Sequence, residues 1–370
     1  MHNFKIYYNG KMAKHELNKL IGFASEKIIE FEINNNIINV TIENSEEEIQ
    51  VKNKIDKLLN KYVNADEITN IELIGNPSRS YYGFNEILNS RLIHKFGNGQ
   101  IALKGEAKKL FDYFDSSFAQ IAKSYGAIEK VYPALLPISA YQETGYLKTS
   151  PQYSIFCSSP YEDIDLLEEL NQKVTEDELN NLLSKPSFGL SPSACFHTYL
   201  EYNNEELENN TVITFNQNVF RNEGRFCWDD YGRLMDYHVR EIVLIGSSEF
   251  VVETRNAIIR DIKNLIEDQG ILAEFSTASD PFIVPVMQKY KKMQIQEKSK
   301  YELKLYCSDT KELACASFNL HGEAFTHPFN INVIGEKPTV SGCIGFGIER
   351  WVLSYLAQFG TNPVKWNLKI

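Results

Sequence analysis

The chain contains no run of 18 or more apolar residues, so no segment reads as a membrane-crossing helix and no membrane partner is expected. Met1 to Gly10 lacks the charged-then-apolar layout of a secretory signal, and the expected location is cytoplasmic. Cysteine is scarce. Cys157, Cys195, Cys227, Cys307, Cys315 and Cys343 occur singly, with no Cys-x-x-Cys pair, in a 370-residue chain too large to need disulfide staples. Taken one at a time, each reads as a small buried apolar filler. An excess of basic residues is missing too. The net charge is -11, whereas proteins that hold nucleic acid usually carry a basic face, so composition argues against an RNA partner. There is no internal repeat, low-complexity tract or sustained heptad. What is present, 43% apolar and 24% charged residues, is an ordinary globular composition with room for a large domain and a small companion.

Residues 1–78 read as a small mixed α/β unit. Phe4 to Tyr8 is strand-like, Glu16 to Ala24 has helical spacing, and Ile28–Ile33 and Ile37–Ile42 flank an Asn-rich turn before a charged helical stretch, Glu46 to Tyr62. Up to residue 75 the unit holds 9 basic and 12 acidic residues, so it does not advertise RNA binding. Asn76-Pro77-Ser78 marks the boundary, and residues 79–370 form the second domain. There Gly105 to Tyr125 has helical spacing, with Ala107, Leu110, Phe111, Phe114, Phe118, Ile121 and Ala122 on one face, and Val131 to Pro137 runs extended. Residues 160–187 carry 8 acidic and 2 basic side chains and predict an acidic helical insertion, read as a solvated helix pair or as a partner-docking element.

Two segments carry the chemistry. In Val219-Phe-Arg-Asn-Glu-Gly224, Arg221 and Glu223 lie two apart on a strand and share a face, so both can meet one ligand. In Val340-Ser-Gly-Cys-Ile-Gly-Phe-Gly-Ile-Glu-Arg350, two close glycines let backbone approach a ligand, and Arg350 sits where an opening helix aims a guanidinium at a polyphosphate. These segments resemble the second and third motifs of class II aminoacyl-tRNA synthetases, and Gly105 to Pro137 is similar to the first, which usually forms a dimer interface. The resemblance implies an α+β fold: an antiparallel β-sheet flanked by helices, carrying a small N-terminal α/β domain, in a homodimer. It further implies ATP and Mg²⁺ as cofactors. Arg221 and Arg350 would be the catalytic pair on the phosphates, Glu223 would seat the adenine, and Arg233 and Leu234 would cover the nucleotide. Ala314, Cys315, Ala316 and Ser317 would line the site, with Glu312 as candidate Mg²⁺ ligand and Lys300, or Lys304 in its place, as a polar contact.

Three further segments, Ser191 to Tyr199, Arg240 to Val243 and Ser341 to Gly345, look like the zinc-binding subgroup of seryl-tRNA synthetase-like proteins. By that resemblance Cys195, Glu241 and Cys343 hold Zn²⁺, whose fourth position takes the α-amino group of the substrate; Glu241 and Asn319 would meet the substrate. Three protein ligands with one open position is the catalytic zinc pattern. Separations of 46 and 102 residues would otherwise signal no metal. Two relatives share this core, the atypical seryl-tRNA synthetase and the amino acid:[carrier protein] ligase. Thr144-Gly-Tyr-Leu-Lys148, Ala194 to Tyr199 and Ala316 to His321 look most like the ligase. The expected function is therefore ATP-dependent activation of a small amino acid and transfer to the phosphopantetheine thiol of a carrier protein, with tRNA not expected as partner. Charging of tRNA and a non-catalytic synthetase paralogue that only binds are the alternatives. Two departures stand out: the loop residues Phe226-Cys-Trp-Asp-Asp230, and the acidic insertion where an acidic carrier protein would dock.

Overall fold

Strands send alternate side chains to opposite faces, and on the central strands of this protein both faces are covered. The computed structural model describes residues 1–9, 12, 14–62, 70–77, 79–172, 174–228 and 231–368. Ser78 of the expected boundary and Asp229 and Asp230 of the unusual loop lie outside the described residues.

The chain opens with β1 (His2–Tyr7), α1 (Lys14–Gly22), β2 (Ile28–Asn34), β3 (Ile37–Ile42) and α2 (Glu48–Lys61). The three strands pair antiparallel in the order β1-β3-β2. Ile38, Val40 and Ile42 alternate inward on β3 and meet Leu17 and Ile21 of α1 and Val51 and Ile55 of α2 in a separate small core. Next come β4 (Ile71–Ile74), α3 (Phe84–Asn89), the hairpin β5 (Ile93–Gly97) and β6 (Gln100–Leu103), α4 (Glu106–Ser124) and β7 (Ile128–Glu129). They are followed by β8 (Leu135–Pro137), α5 (Ile138–Glu143), α6 (Tyr146–Thr149), β9 (Ile155–Cys157), α7 (Ile164–Leu170), α8 (Glu176–Leu179), β10 (Phe188–Leu190) and α9 (Phe196–Glu201). The remainder is β11 (Glu206–Leu207), β12 (Thr211–Phe220), β13 (Asp236–Gly246), α10 (Ser248–Gln269), β14 (Ala273–Thr277), α11 (Tyr290–Gln296), β15 (Lys300–Ser308), β16 (Lys311–Gly322), β17 (Asn332–Val333), β18 (Val340–Gly347) and α12 (Ile348–Phe359).

Eight strands build the large sheet in the order β4-β14-β15-β16-β18-β13-β12-β7, antiparallel throughout except for the parallel β12–β7 pair at one edge. The sequence unit and the sheet divide differently, because β4, inside residues 1–78, pairs with β14 on the large sheet. One face is packed by α4, α10 and α12: Ile242, Leu244, Ile344 and Phe346 from the strands meet Phe114, Phe118, Trp351 and Tyr355 from the helices. From the same strands Val239, Val243 and Cys343 turn the other way, toward Tyr199, Phe215 and Leu136. The acidic insertion forms two short helices, α7 capped by Asp163 and α8 closed by a Thr175–Glu178 capping box, and neither buries a residue. No helix among the described residues is long and apolar enough to cross a membrane.

A buried ion pair fastens α4 to the sheet. Arg240 donates through Nε and Nη2 to the two carboxylate oxygens of Asp115 at 2.8 and 2.7 Å, and Asn216 donates to the same carboxylate at 2.8 Å. Replacing Asp115 by Ala leaves the buried Arg240 guanidinium with Glu129, at 3.4 Å, as its remaining acidic partner among the described residues. It should lower the unfolding free energy by about 3 kcal/mol in chemical denaturation. A loss under about 1 kcal/mol would place this pair among weak surface contacts instead.

Candidate active site

β12 and β13 form a long hairpin; of its connection, residues 221–228 and 231–235 are described. Its base is held by backbone hydrogen bonds from Arg221 N to Met235 O, at 2.8 Å, and from Asn222 N to Tyr153 O, at 3.1 Å. Glu223, buried, accepts from Arg233 Nη1 at 2.9 Å across the loop. Arg221 donates Nε to the carbonyl of Pro192 at 2.9 Å. Arg350, in the first turn of α12, donates Nε to Gly232 O and Nη1 to Ala314 O, each at 3.1 Å. Both guanidiniums lie over the ring of Tyr237, Arg350 at 4.7 Å and Arg221 at 6.0 Å from its centroid. Each arginine therefore has a fixed plane and several N–H donors still to offer, the arrangement that receives phosphate oxygens. Tyr237 was not among the sequence candidates; its role arises from lying under two arginines that come from opposite ends of the chain's second half.

A second cluster lies on the same sheet face. Glu241 of β13 pairs with Gly345 of β18, and Cys343 of β18 pairs with Asn319 of β16, so period-two alternation turns both ligand candidates one way. Cys195 joins them from the N-terminus of α9, where Ser193 Oγ lies 3.4 Å from its sulfur. The segment that follows Cys195 is a short helix. One donor atom from each of Cys195, Glu241 and Cys343 lies within 4.8 Å of the others, and all three residues are buried. Gly345 makes the room, since a Cβ there would stand 2.7 Å from Glu241 Oε2. Burial pushes the Glu241 carboxyl up to about 8 against the opposing pull of the Cys343 hydrogen bond and Arg221. The hydrogen bond to Cys195, with burial, likewise holds the Cys343 thiol above its ordinary range. Two sulfurs and a carboxylate so placed suit a borderline-soft divalent cation, which would replace these protons. Around them, Asn319 Nδ2 lies 3.5 Å from Cys343 Sγ, and His321 Nε2 is 3.6 Å from the same sulfur while its Nδ1 bonds the Tyr199 hydroxyl at 3.0 Å. Burial takes the His321 imidazole down to about 4.

The remaining candidates divide. Lys300 is buried and paired with Asp280 at 2.7 Å and Glu302 at 3.4 Å, while Lys304 pairs with Glu274 at 3.1 Å. Glu312 is exposed beside Lys304 at 3.8 Å, so its carboxylate faces a cation already. Ser317 and Asn319 share a hydrogen bond of 3.2 Å on the site face. Leu234 packs its side chain in the core with Val219 and Tyr237, and Cys315 and Ala316 pack theirs toward the helical layer, where burial pushes the Cys315 thiol up to about 12. These three can line a ligand only through backbone. Ala314 likewise engages Arg350 through its carbonyl. His197 bonds Leu135 O at 3.0 Å and Gln217 Nε2 at 3.1 Å, which occupies both ring nitrogens structurally. In the unusual loop, Phe226 packs on the N-terminal core and Trp228 covers Gly99, whose φ of +72° needs glycine.

No family model matches the chain. It is 28% identical over 264 residues to the type-2 serine–tRNA ligase of Methanocaldococcus jannaschii, covering 67% of this chain and 50% of the relative. To the type-2 serine–tRNA ligase of Methanococcus maripaludis it is 25% identical over 288 residues, covering 73% and 55%. The chain thus spans about half the length of the curated relatives it matches. Among solved structures, the SerRS of M. kandleri in complex with A. aeolicus tRNASec superposes with a TM-score of 0.71 at 18% identity, over 98% of this chain and 75% of that one. The cytoplasmic serine–tRNA ligase of Naegleria fowleri in complex with AMP does so with 0.61 at 10% identity, over 85% and 68%. The fold is that of the class II aminoacyl-tRNA synthetases. The comparisons overturn the expectation of a carrier-protein partner with tRNA not expected, because these relatives are serine–tRNA ligases and one was solved on a tRNA. The net charge behind that expectation is a sum over the whole chain and does not describe any one face.

His238 and Glu349 set the position of the helix turn that carries Arg350. Glu349 accepts from His238 N at 2.9 Å and pairs with His238 Nδ1 at 2.7 Å. Burial opposes protonation of His238, but the Glu349 hydrogen bond and charge outweigh it and raise its pKa. A raised imidazole pKa contributes stability that is complete below 6.5, the ordinary value, and is lost as pH rises through the folded-state value. Unfolding midpoints at about pH 6 and about pH 9 should therefore fall further apart in the native protein than in His238→Gln. Equal spacing in both would remove this pair from the pH response.

Proposed function

We propose that this protein activates a small free amino acid with ATP, as the aminoacyl-adenylate, and transfers the aminoacyl group to tRNA. The observation that carries the reading is the adjacency on one sheet face of the Arg221–Tyr237–Arg350 frame and the Cys195–Glu241–Cys343 cluster. The serine–tRNA ligase relatives support tRNA as the acceptor and serine as the first amino acid to try.

Attack of the amino-acid carboxylate on the α-phosphorus makes the new P–O bond as the bond to pyrophosphate breaks. Negative charge must be drawn off the phosphates and both reactants held in line. Arg221 and Arg350 would take that charge, kept rigid by the carbonyls of Pro192, Gly232 and Ala314 and by Tyr237. Glu223, fixed by Arg233, would seat the adenine, and ATP would enter with Mg²⁺. Zn²⁺ on Cys195, Glu241 and Cys343 would supply a Lewis-acid position for the free α-amino group of the substrate. Asn319 lies beside that cluster and would contact the bound amino acid.

Amino-acid-dependent ATP–pyrophosphate exchange across small amino acids, followed by transfer of label to total tRNA or to a holo carrier protein, tests the reading. Exchange and label on tRNA are expected; label on carrier protein alone overturns the acceptor, and no exchange in zinc-loaded protein overturns activation and leaves a binding protein. Cys343→Ser should lose bound zinc, read by metal analysis, together with exchange. Retained zinc at full stoichiometry in that variant would dismiss the ligand set.

A homodimer through the edge near β7 is also proposed. Ile128 on β7 and Val131 just after it are 52% and 91% exposed, apolar side chains that a second copy would cover. Val131→Glu should shift the mass measured by light scattering from dimer toward monomer; a native monomer would contradict the assignment.

A further inference from the structure

The end of β16 is the part of the site that the activation chemistry leaves unexplained. β16 and β18 pair residue for residue from Ala316 to Leu320, but the register slips between Leu320 and Gly322, so His321 stands opposite no residue of β18. A bulge of this kind takes one residue out of the ladder and re-aims its side chain. Gly322, next along, has a φ of +57°, the left-handed region that favours glycine.

His321 is turned toward the Cys195–Glu241–Cys343 cluster and held at both ring nitrogens. Nε2 lies 3.6 Å from Cys343 Sγ, and Nδ1 lies 3.0 Å from the hydroxyl of Tyr199. Tyr199 is fully buried and comes four residues after Cys195, so the two share a face of α9. The chain Tyr199–His321–Cys343 thus spans the two elements that carry the sulfurs, α9 and β18. Phe325 stacks on Tyr199 at 4.5 Å between ring centroids and meets the imidazole edge-on at 4.8 Å, which fixes the plane of both rings. Among the described residues only Cys195, Glu241 and Cys343 bring ligand atoms within 4.8 Å of one another, so His321 stands outside the ligand set.

We propose that Tyr199 and His321 are positioning residues for a metal ion held by Cys195, Glu241 and Cys343, with the Tyr199 hydroxyl donating to Nδ1 of His321 and Nε2–H donating to the sulfur of Cys343. The inference rests on the reading of those three residues as a metal site. A metal-bound thiolate only accepts hydrogen bonds, so a neutral imidazole facing it carries its proton on Nε2 and accepts at Nδ1, where Tyr199 stands. An N–H donor on the thiolate draws charge off the sulfur and leaves the metal a stronger acceptor for the amino group of the substrate. The same two bonds tie the helix of Cys195 to the strand of Cys343, which keeps the ligands close before any metal arrives.

Zn²⁺ affinity, measured by competition with a chromophoric chelator, and the absorption spectrum of the Co²⁺-loaded full-length protein test the proposal together. His321→Leu should weaken Zn²⁺ about 10- to 100-fold and move the thiolate-to-Co²⁺ charge-transfer band to longer wavelength, because the sulfur loses its donor. His321→Gln, whose side-chain amide can donate from near the place of Nε2, should recover most of both. Tyr199→Phe keeps its ring in the core and should shift the band in the same direction by less. Native-like affinity and band in His321→Leu overturn the proposal, as does weaker Zn²⁺ binding with an unmoved band, which would make His321 a packing residue only. X-ray absorption that finds a nitrogen ligand on Co²⁺ in the native protein and none in His321→Leu also overturns it, by making His321 a ligand. Failure of the native protein to bind either metal overturns the metal-site reading itself and this inference with it.

Discussion

Everything in the site hangs on one cross-strand pair, Glu241 opposite Gly345. Two central strands run antiparallel there, and the missing side chain on β18 is what lets a carboxylate stand on the sheet surface between two sulfur-bearing residues. The same alternation that aims Glu241 and Cys343 at the site aims Ile242, Ile344 and Phe346 into the helical layer. A slip of register by one residue would exchange these two sets and destroy core and site together. The packing of α4, α10 and α12 therefore holds the register that the chemistry needs.

Charge in the site is managed by enclosure. The arginines are oriented by carbonyls and an aromatic face rather than by carboxylates, so their positive charge is left for a ligand. Acidic partners are assigned elsewhere: Asp115 to Arg240, Asp280 and Glu302 to Lys300, Glu349 to His238. Such a division leaves the donors of Arg221 and Arg350 to a ligand and keeps the Cys195–Glu241–Cys343 cluster apart from them.

Much of the framework was legible because it rests on short-range periodicity. The inward alternation of β3 and the helical spacing of α4 are properties of a dozen consecutive residues, and both elements fall where those residues predict. Arg221, Glu223 and Arg350 were named from two separate segments, but Arg221 and Glu223 lie past the end of β12 rather than on a strand, so the period-two spacing expected for them does not set their directions. Which way a side chain turns was harder to read, because a register shift at Leu303/Lys304 changes the faces of β16 and sends Cys315 and Ala316 to the helices. Tyr237 and His321 were not singled out, since each matters through partners that include one more than a hundred residues away, Arg350 for Tyr237 and Tyr199 for His321. The edge strand β4 was hidden for the same reason: four residues declare no sheet until β14 lies beside them. Net charge was a poor guide to partners because a sum carries no position.

The order of strands has a consequence for how the chain is made. β16 and β18 occupy the middle of the eight-stranded sheet although they come from residues 311–347, while β4 and β7, made far earlier, are its two edges. A growing chain thus exposes β12 and β13 as an unfinished hairpin, with Ile242 and Leu244 on one face and Phe215 and Val243 on the other, until β18 arrives to fill the gap between β13 and β16. Closing contacts so distant in sequence makes such folding slow and leaves partly synthesised chains open to aggregation. A stop before residue 340 would remove β18, the keystone of the sheet, rather than trim its rim.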